Sequence, residues 1–198
     1  MINNFLQLLF NKMLDYSGHR KSWIFLSFIS FIESIFFPIP TDLFLAPMII
    51  ANRKKAVFLV FITILFSVIG GIVGYVLGFY FWELIEPKVN VLYPEFQQGF
   101  LSFKNKFAEL SWMLIMIGGF TPFPFKIITI SSGILQLDIF LFIACSIISR
   151  SARFIIVGYM FFKYGNGIKL TIERNINLIS LVLLIIFLAY IFLKFSQN

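Results

Sequence analysis

Apolar residues run along this chain in long stretches, and polar residues interrupt them in only a few places. In residues 1–16, Ile2, Phe5, Leu6, Leu8, Leu9, Met13 and Leu14 recur with Asn, Gln, Lys and Asp between them. That spacing predicts an amphipathic helix on a membrane surface, the N-terminal segment 1–21 closing at Ser17–Lys21. An apolar run then extends from Ser22 to Ile50, broken by Pro38-Ile39-Pro40-Thr41-Asp42. Two prolines and an aspartate cannot sit inside an unbroken lipid-facing helix. The run is therefore either one spanning helix ending near Phe37 or a hairpin that enters, turns at Pro38 and Pro40, and returns. The second arm, Leu43 to Ala51, falls short of the ~20 residues a crossing needs, which favours the hairpin. Asn52, Arg53, Lys54 and Lys55 mark the aqueous face it returns to.

From Ala56 to Trp82 there are 27 residues without a charge, enough to cross a bilayer with tilt. Gly70, Gly74 and Gly78 share one face of that helix and predict a close helix–helix approach. The only extended polar stretch follows, from Glu83 to Glu109, and its part 83–106 is expected to be a partly helical interfacial linker. The apolar pattern then resumes, breaks again at Pro122-Phe123-Pro124-Phe125-Lys126, and stops near Gln136-Leu137-Asp138. Ile139 to Tyr164 predicts a second crossing that carries Arg150 and Arg153, and residues 176–194 predict a third.

The two proline breaks superpose at an offset of 84 residues: Pro38 and Pro40 fall on Pro122 and Pro124. At that offset Ile72-Val73-Gly74-Tyr75 falls on Ile156-Val157-Gly158-Tyr159, and 14 of 59 ungapped positions are identical between 23–81 and 107–165. By chance such a composition gives roughly one match in ten, so the chain contains an internal repeat, 22–82 and 107–165. Each copy is one re-entrant hairpin plus one crossing. An odd number of crossings sends the second copy in from the opposite face, which is the inverted-repeat architecture of many transporters. The expected fold is thus an all-α polytopic membrane protein, an inverted repeat of re-entrant hairpin plus transmembrane helix closed by a C-terminal transmembrane helix, in a single domain of 198 residues.

Composition agrees. The chain is 60% hydrophobic, 19% aromatic and 13% charged, with mean hydropathy +0.94, which excludes an ordinary soluble enzyme. Its net charge of +7 reads as the lysine and arginine excess of a cytoplasmic membrane face rather than as nucleic-acid binding, because no basic cluster with interleaved aromatics sits on a soluble element. Lys12, Arg20, Lys21 and residues 53–55 share that face with Lys163, Lys169 and Arg174, whereas 83–109 carries four acids against three bases. The N-terminus is accordingly expected in the cytoplasm. The lone Cys145 excludes a disulfide framework and a cysteine metal site, the lone His19 is given no role, and the opening residues lack the order of a cleaved signal.

Five ionisable residues fall at membrane depth: Glu33, Asp42, Lys126, Arg150 and Arg153. Each would cost ~2.5–3.5 kcal/mol or more on a lipid-facing helix, so they face the interior. A salt-bridge network that only fixes the fold is one reading; a polar path for a substrate is the other. Three bases against two acids suit an anionic group, and Arg150 and Arg153, three apart on one helix face, can reach the same ligand. Glu33 and Asp42 are the candidates for carrying protons. Asp42 aligns with Lys126, so opposite charges meet if the two hairpin tips meet. No nucleophile–base pair appears at membrane depth, so neither a catalytic residue nor a metal or organic cofactor is expected.

Glu33-Ser34 followed by Phe37-Pro38-Ile39-Pro40-Thr41-Asp42, the glycine helix, then Gly118-Gly119-Phe120-Thr121-Pro122-Phe123-Pro124-Phe125-Lys126 with Ser131-Ser132-Gly133 resembles the DedA family (the VTT or SNARE-associated domain), in its YqaA-like branch. The resemblance covers roughly residues 20–170. It implies a polytopic protein of the bacterial inner membrane with two opposed re-entrant loops. Its partners would be membrane lipids, through an anionic headgroup or lipid phosphate moved between leaflets, together with protons. The family's two acids map to Glu33 and Asp42. Of the two arginines many members place around the second loop, one position holds Lys126 and the other Phe120, and Arg150 and Arg153 are the candidates for restoring that charge. A proton-coupled exporter of a small solute or drug is the rival reading.

Overall fold

The computed structural model describes residues 22–36, 40–121 and 123–165, residues 94 and 95 by their backbone only. Six α-helices follow in order: α1 Ser22–Glu33, α2 Asp42–Ala51, α3 Ala56–Leu92, α4 Pro94–Phe120, α5 Phe125–Ile134 and α6 Ile139–Tyr164, with a 3-10 turn at Arg53–Lys55 leading into α3. No strand occurs among the described residues. Two of the helices, α3 with its leading turn and α6, are long and apolar enough to cross a membrane. The expected amphipathic segment 1–21, the third crossing 176–194, and Pro38 and Pro122 lie outside the described residues.

Local chemistry sets the boundaries. Past Glu33 the chain turns, with the amides of Ile35 and Phe36 both donating to the carbonyl of Ile32 at 3.0 Å. Helix resumes at Asp42, just after Pro40, and places a carboxylate at the positive end of α2. Pro124 precedes α5 in the same way. Asp138 caps α6, its Oδ1 accepting from the Leu141 amide at 2.7 Å, and Gly165 closes α6 with φ +51°. The expected arm Leu43–Ala51 and crossing Ile139–Tyr164 coincide with α2 and α6 to within one residue.

The expected linker 83–106 is helical almost throughout. Helix α3 continues ten residues past Trp82, through Pro87, and α4 begins after a single break at Tyr93. Pro87 removes only one helix bond, to the Glu83 carbonyl, in a stretch where Glu83, Leu84, Pro87 and Lys88 are all exposed and water can serve that carbonyl. The two halves of the stretch pack together where Trp82 stacks on Phe100, ring centroids 4.2 Å apart.

Two helical hairpins result. Ser22 and Trp23 at the start of α1 line one cavity of about 350 Å³ with Met48 and Asn52 at the end of α2, so α1 and α2 begin and end at the same end of the molecule. In the second hairpin Lys104 Nζ, on α4, donates to Gln136 Oε1, just past α5, at 2.8 Å. The hairpins exchange partners. The first arms α1 and α4 pack on the long helix of their own half, α3 and α6, while α5 packs along α3 and α2 along α6. The α3–α5 seam is the tightest. A Cβ on Gly133 would sit 2.8 Å from the Phe79 amide nitrogen and nearer still to the Tyr75 carbonyl oxygen, and one on Gly78 would meet the Ile130 carbonyl. Gly74 lies against Thr129 of α5, Gly70 against the Phe31 carbonyl of α1, and Gly158 against Val60.

Polarity is turned inside out. Ser27, Ser30, Ser34, Thr63, Ser67, Thr129, Ser132, Ser146 and Ser149 are buried, and so is Arg150, while Val57, Phe61, Phe140, Ile148 and Tyr159 face outward. Small hydroxyl residues let helices approach closely and hydrogen-bond across the seam, as Ser30 Oγ does to the Thr63 carbonyl at 2.7 Å. So large an apolar exterior is the surface expected of helices that meet lipid rather than water.

Candidate functional site

The hairpin turns meet at the centre. Lys126, in the first turn of α5, donates from Nζ to the Phe36 carbonyl at 3.2 Å, and Thr129 Oγ1 reaches the Ser34 carbonyl at 3.2 Å. Glu33 closes α1 and Asp42 opens α2, so the interruption between the two helices presents both acids from one turn. Facing them on α6 are Arg150 and Arg153, nearly one helical turn apart.

Each arginine takes one acid. Arg150 Nη2 lies 2.7 Å from Glu33 Oε2, and Arg153 Nη2 pairs with Asp42 Oδ2. Arg150 is fully buried at 1% exposure. Its Nε donates to Ser67 Oγ at 2.7 Å, and Ser67 Oγ is in turn 2.9 Å from Ser34 Oγ. Its guanidinium lies between the rings of Phe125 and Phe154, 4.7 and 4.6 Å from their centroids, where a planar, weakly hydrated cation stacks on both faces. The second acid is held less completely. Arg153 also donates, through Nη1, to the Thr121 carbonyl at the second break, so it spans both turns. Asp42 Oδ1 is buried and has no hydrogen-bond partner among the described residues. Thr41 Oγ1 lies 3.4 Å from Glu33 Oε2 and ties the two acids' turn together.

Four of the five expected charges therefore form one cluster. Asp42 meets Arg153 and not its sequence equivalent Lys126, whose ammonium donates to the Phe36 carbonyl at a more open position. Pro40 and Pro124 are exposed beside it. Both acids belong to the first repeat and both arginines to the second, so the cluster ties the two halves together. Sequence reasoning quoted Ser34, Thr41 and Phe125 only as parts of a motif and gave Ser67 and Phe154 no role; the structure places these hydroxyls and rings around the Glu33–Arg150 pair. Ser27, Ser30 and Ser34, three and four apart in an otherwise apolar run, carried the signal of a buried polar seam.

Two acid side chains thus face two guanidinium groups, and Asp42 Oδ1 is left without a hydrogen-bond partner among the described residues.

No family model and no solved structure matches this chain. A protein of Haemophilus influenzae, described as uncharacterized, is 36% identical over 192 residues, covering 94% of this chain and 96% of its own. A second uncharacterized protein, from Histophilus somni, is 34% identical over 187 residues, covering 94% and 97%. Identity at this level along nearly the whole of each chain places the protein in one family with these two bacterial proteins.

Proposed function

We propose that this protein is a DedA-type translocase of the bacterial plasma membrane, moving phospholipid or a lipid phosphate between leaflets with proton coupling. One observation carries the reading: two acid–arginine pairs, Arg150 fully buried and its three companions mostly so, lie where the break between α1 and α2 meets the break between α4 and α5, inside a body whose outer surface is apolar. Charges in that setting are costly and mark substrate or ion paths. A headgroup phosphate takes the place of a carboxylate on Arg153 or Arg150, and the released acid takes a proton. The phosphate brings one negative charge and the proton on the released acid offsets it, so the net charge of the site is the same before and after.

The exchanged packing of α2 and α5 supports an inverted repeat. The two ten-residue helices stand one residue from the 84-residue offset, and each leans on the long helix of the other half. The Arg53 guanidinium lies against Gly165, which puts the basic turn 53–55 and the end of α6 at one end of the molecule. This supports a cytoplasmic position for both, with 83–109 on the far side. In a Cys145-free background, cysteines at 54 and 98 are expected to label from opposite sides of sealed cells. Labelling from the same side would remove the re-entrant topology.

The functional test is reconstitution into liposomes carrying a fluorescent phospholipid in both leaflets. Wild-type protein is expected to expose inner-leaflet probe to a membrane-impermeant quencher faster than protein-free vesicles do, and a proton gradient is expected to change the rate. Asp42→Asn, folded and present at the same level, is expected to abolish the gradient effect. Protein-free rates in the presence of wild-type protein would overturn the reading.

A further inference from the structure

The first half of α4 carries a stripe that the central charges do not use. Phe96, Phe100, Phe103 and Phe107 recur at spacings of four, three and four and so share one helix face, while Gln97, Gln98, Ser102, Asn105 and Lys106 fill the rest. Phe100 and Phe107 pack on the core around Leu135 and Phe142, whereas Phe96 and Phe103 remain 48% and 50% exposed. Between this stripe and the end of α5 runs a groove of about 460 Å³, floored by Ser131, Ile134 and Leu135. That volume lies within the range of small-molecule sites.

Gly99 opens the groove. The glycines of the α3–α5 seam have no room for a Cβ, but a Cβ on Gly99 would meet nothing within 4 Å. A glycine inside a helix costs stability, and this one returns no packing contact. Its effect is a notch between Phe96 and Phe103. Lys104 follows Phe103 in the chain and reaches Gln136, next to the lining residue Leu135. Its ammonium is tethered by the neutral amide of Gln136 and is in no ion pair among the described residues, so its charge and further donors are open to an anion.

An aromatic slot beside an uncommitted cation recognises an amphiphile with a negative head. We infer that this groove binds one acyl chain of an anionic phospholipid, with the headgroup phosphate on Lys104. The inference rests on the membrane-embedded reading of the chain and is independent of translocation. The site lies away from the Glu33–Arg153 cluster, on the face of α4 turned to α5, and holds a lipid in place rather than passing it across.

Trp82, stacked on Phe100 behind the groove, is a built-in reporter. Full-length protein with Trp82 as the sole tryptophan (Trp23→Phe, Trp112→Phe) is placed in phosphatidylcholine vesicles containing a low fraction of brominated phosphatidylglycerol or brominated phosphatidylcholine. The brominated anionic lipid is expected to quench Trp82 several-fold more strongly, and to saturate. Gly99→Leu fills the notch from a position where its Cβ meets no protein atom within 4 Å, and is expected to abolish the saturable quenching. Lys104→Gln is expected to lower quenching by the anionic lipid to the phosphatidylcholine level. Equal quenching by both lipids, or a saturable excess that survives either substitution, would overturn the site while leaving the embedded reading intact. Absence of quenching by either lipid would overturn both.

Discussion

Arg150→Met is expected to destabilise the protein by about 3–5 kcal/mol, the largest effect of any single substitution at the charged cluster. The side chain it removes is fully buried, and Glu33 would lose the guanidinium it pairs with. The physics of buried pairs gives the control. Removing both partners, as Glu33→Leu with Arg150→Met, is expected to recover most of the loss, because neither charge of the pair is left without its partner. Arg150→Lys is expected to fall between. The charge survives, but the Nε donor to Ser67 and the plane stacked between two rings do not. Thermal unfolding of the purified protein in detergent reads all three variants. A double variant as unstable as the single one would show that Glu33 and Arg150 do not depend on each other.

Gly133→Leu is the second large effect, expected to cost about 1–3 kcal/mol or more through overpacking. The obstacle on the far side of the seam is backbone, the Tyr75 carbonyl and Phe79 amide, which cannot rotate away as a side chain tip can. Gly78→Leu meets the Ile130 carbonyl and is expected to match it. Gly99→Leu sits in open space and is expected to leave stability unchanged or slightly raised. Monodispersity and melting temperature after purification compare the three directly. If Gly99→Leu and Gly133→Leu behave alike, α3 and α5 do not approach as closely as described.

Proline and charge made much of this fold legible. The ends of α2 and α6 follow from Pro40, Asn52, Asp138 and Gly165, residues whose local chemistry starts or stops a helix whatever surrounds it. The helical continuation of α3 to Leu92 was less visible, because loss of hydropathy after Trp82 marks the end of an apolar surface and not the end of a helix. Among the charges, the offset of 84 set Asp42 against Lys126, yet the carboxylate meets Arg153. Alignment identifies positions that play corresponding parts in two halves; it does not make them neighbours. The environment of Arg150 was hidden for another reason. Ser67, Phe125 and Phe154 come from three different helices and Ser34 from the turn after α1, and only packing brings them together.

The separation of the partners along the chain sets an order of events during synthesis. Glu33 precedes Arg150 by 117 residues, and Asp42 precedes Arg153 by 111. At about 5–20 residues per second, each acid leaves the ribosome roughly 6–23 s before its arginine exists. For that interval a nascent chain with α1 to α3 complete carries two carboxylates and neither of their guanidinium partners. Until α6 arrives, α1 can pack on α3, but neither acid has its arginine. Chains that stop short of residue 150 form neither pair, so both acid–arginine contacts are a mark of the chain's completed second half.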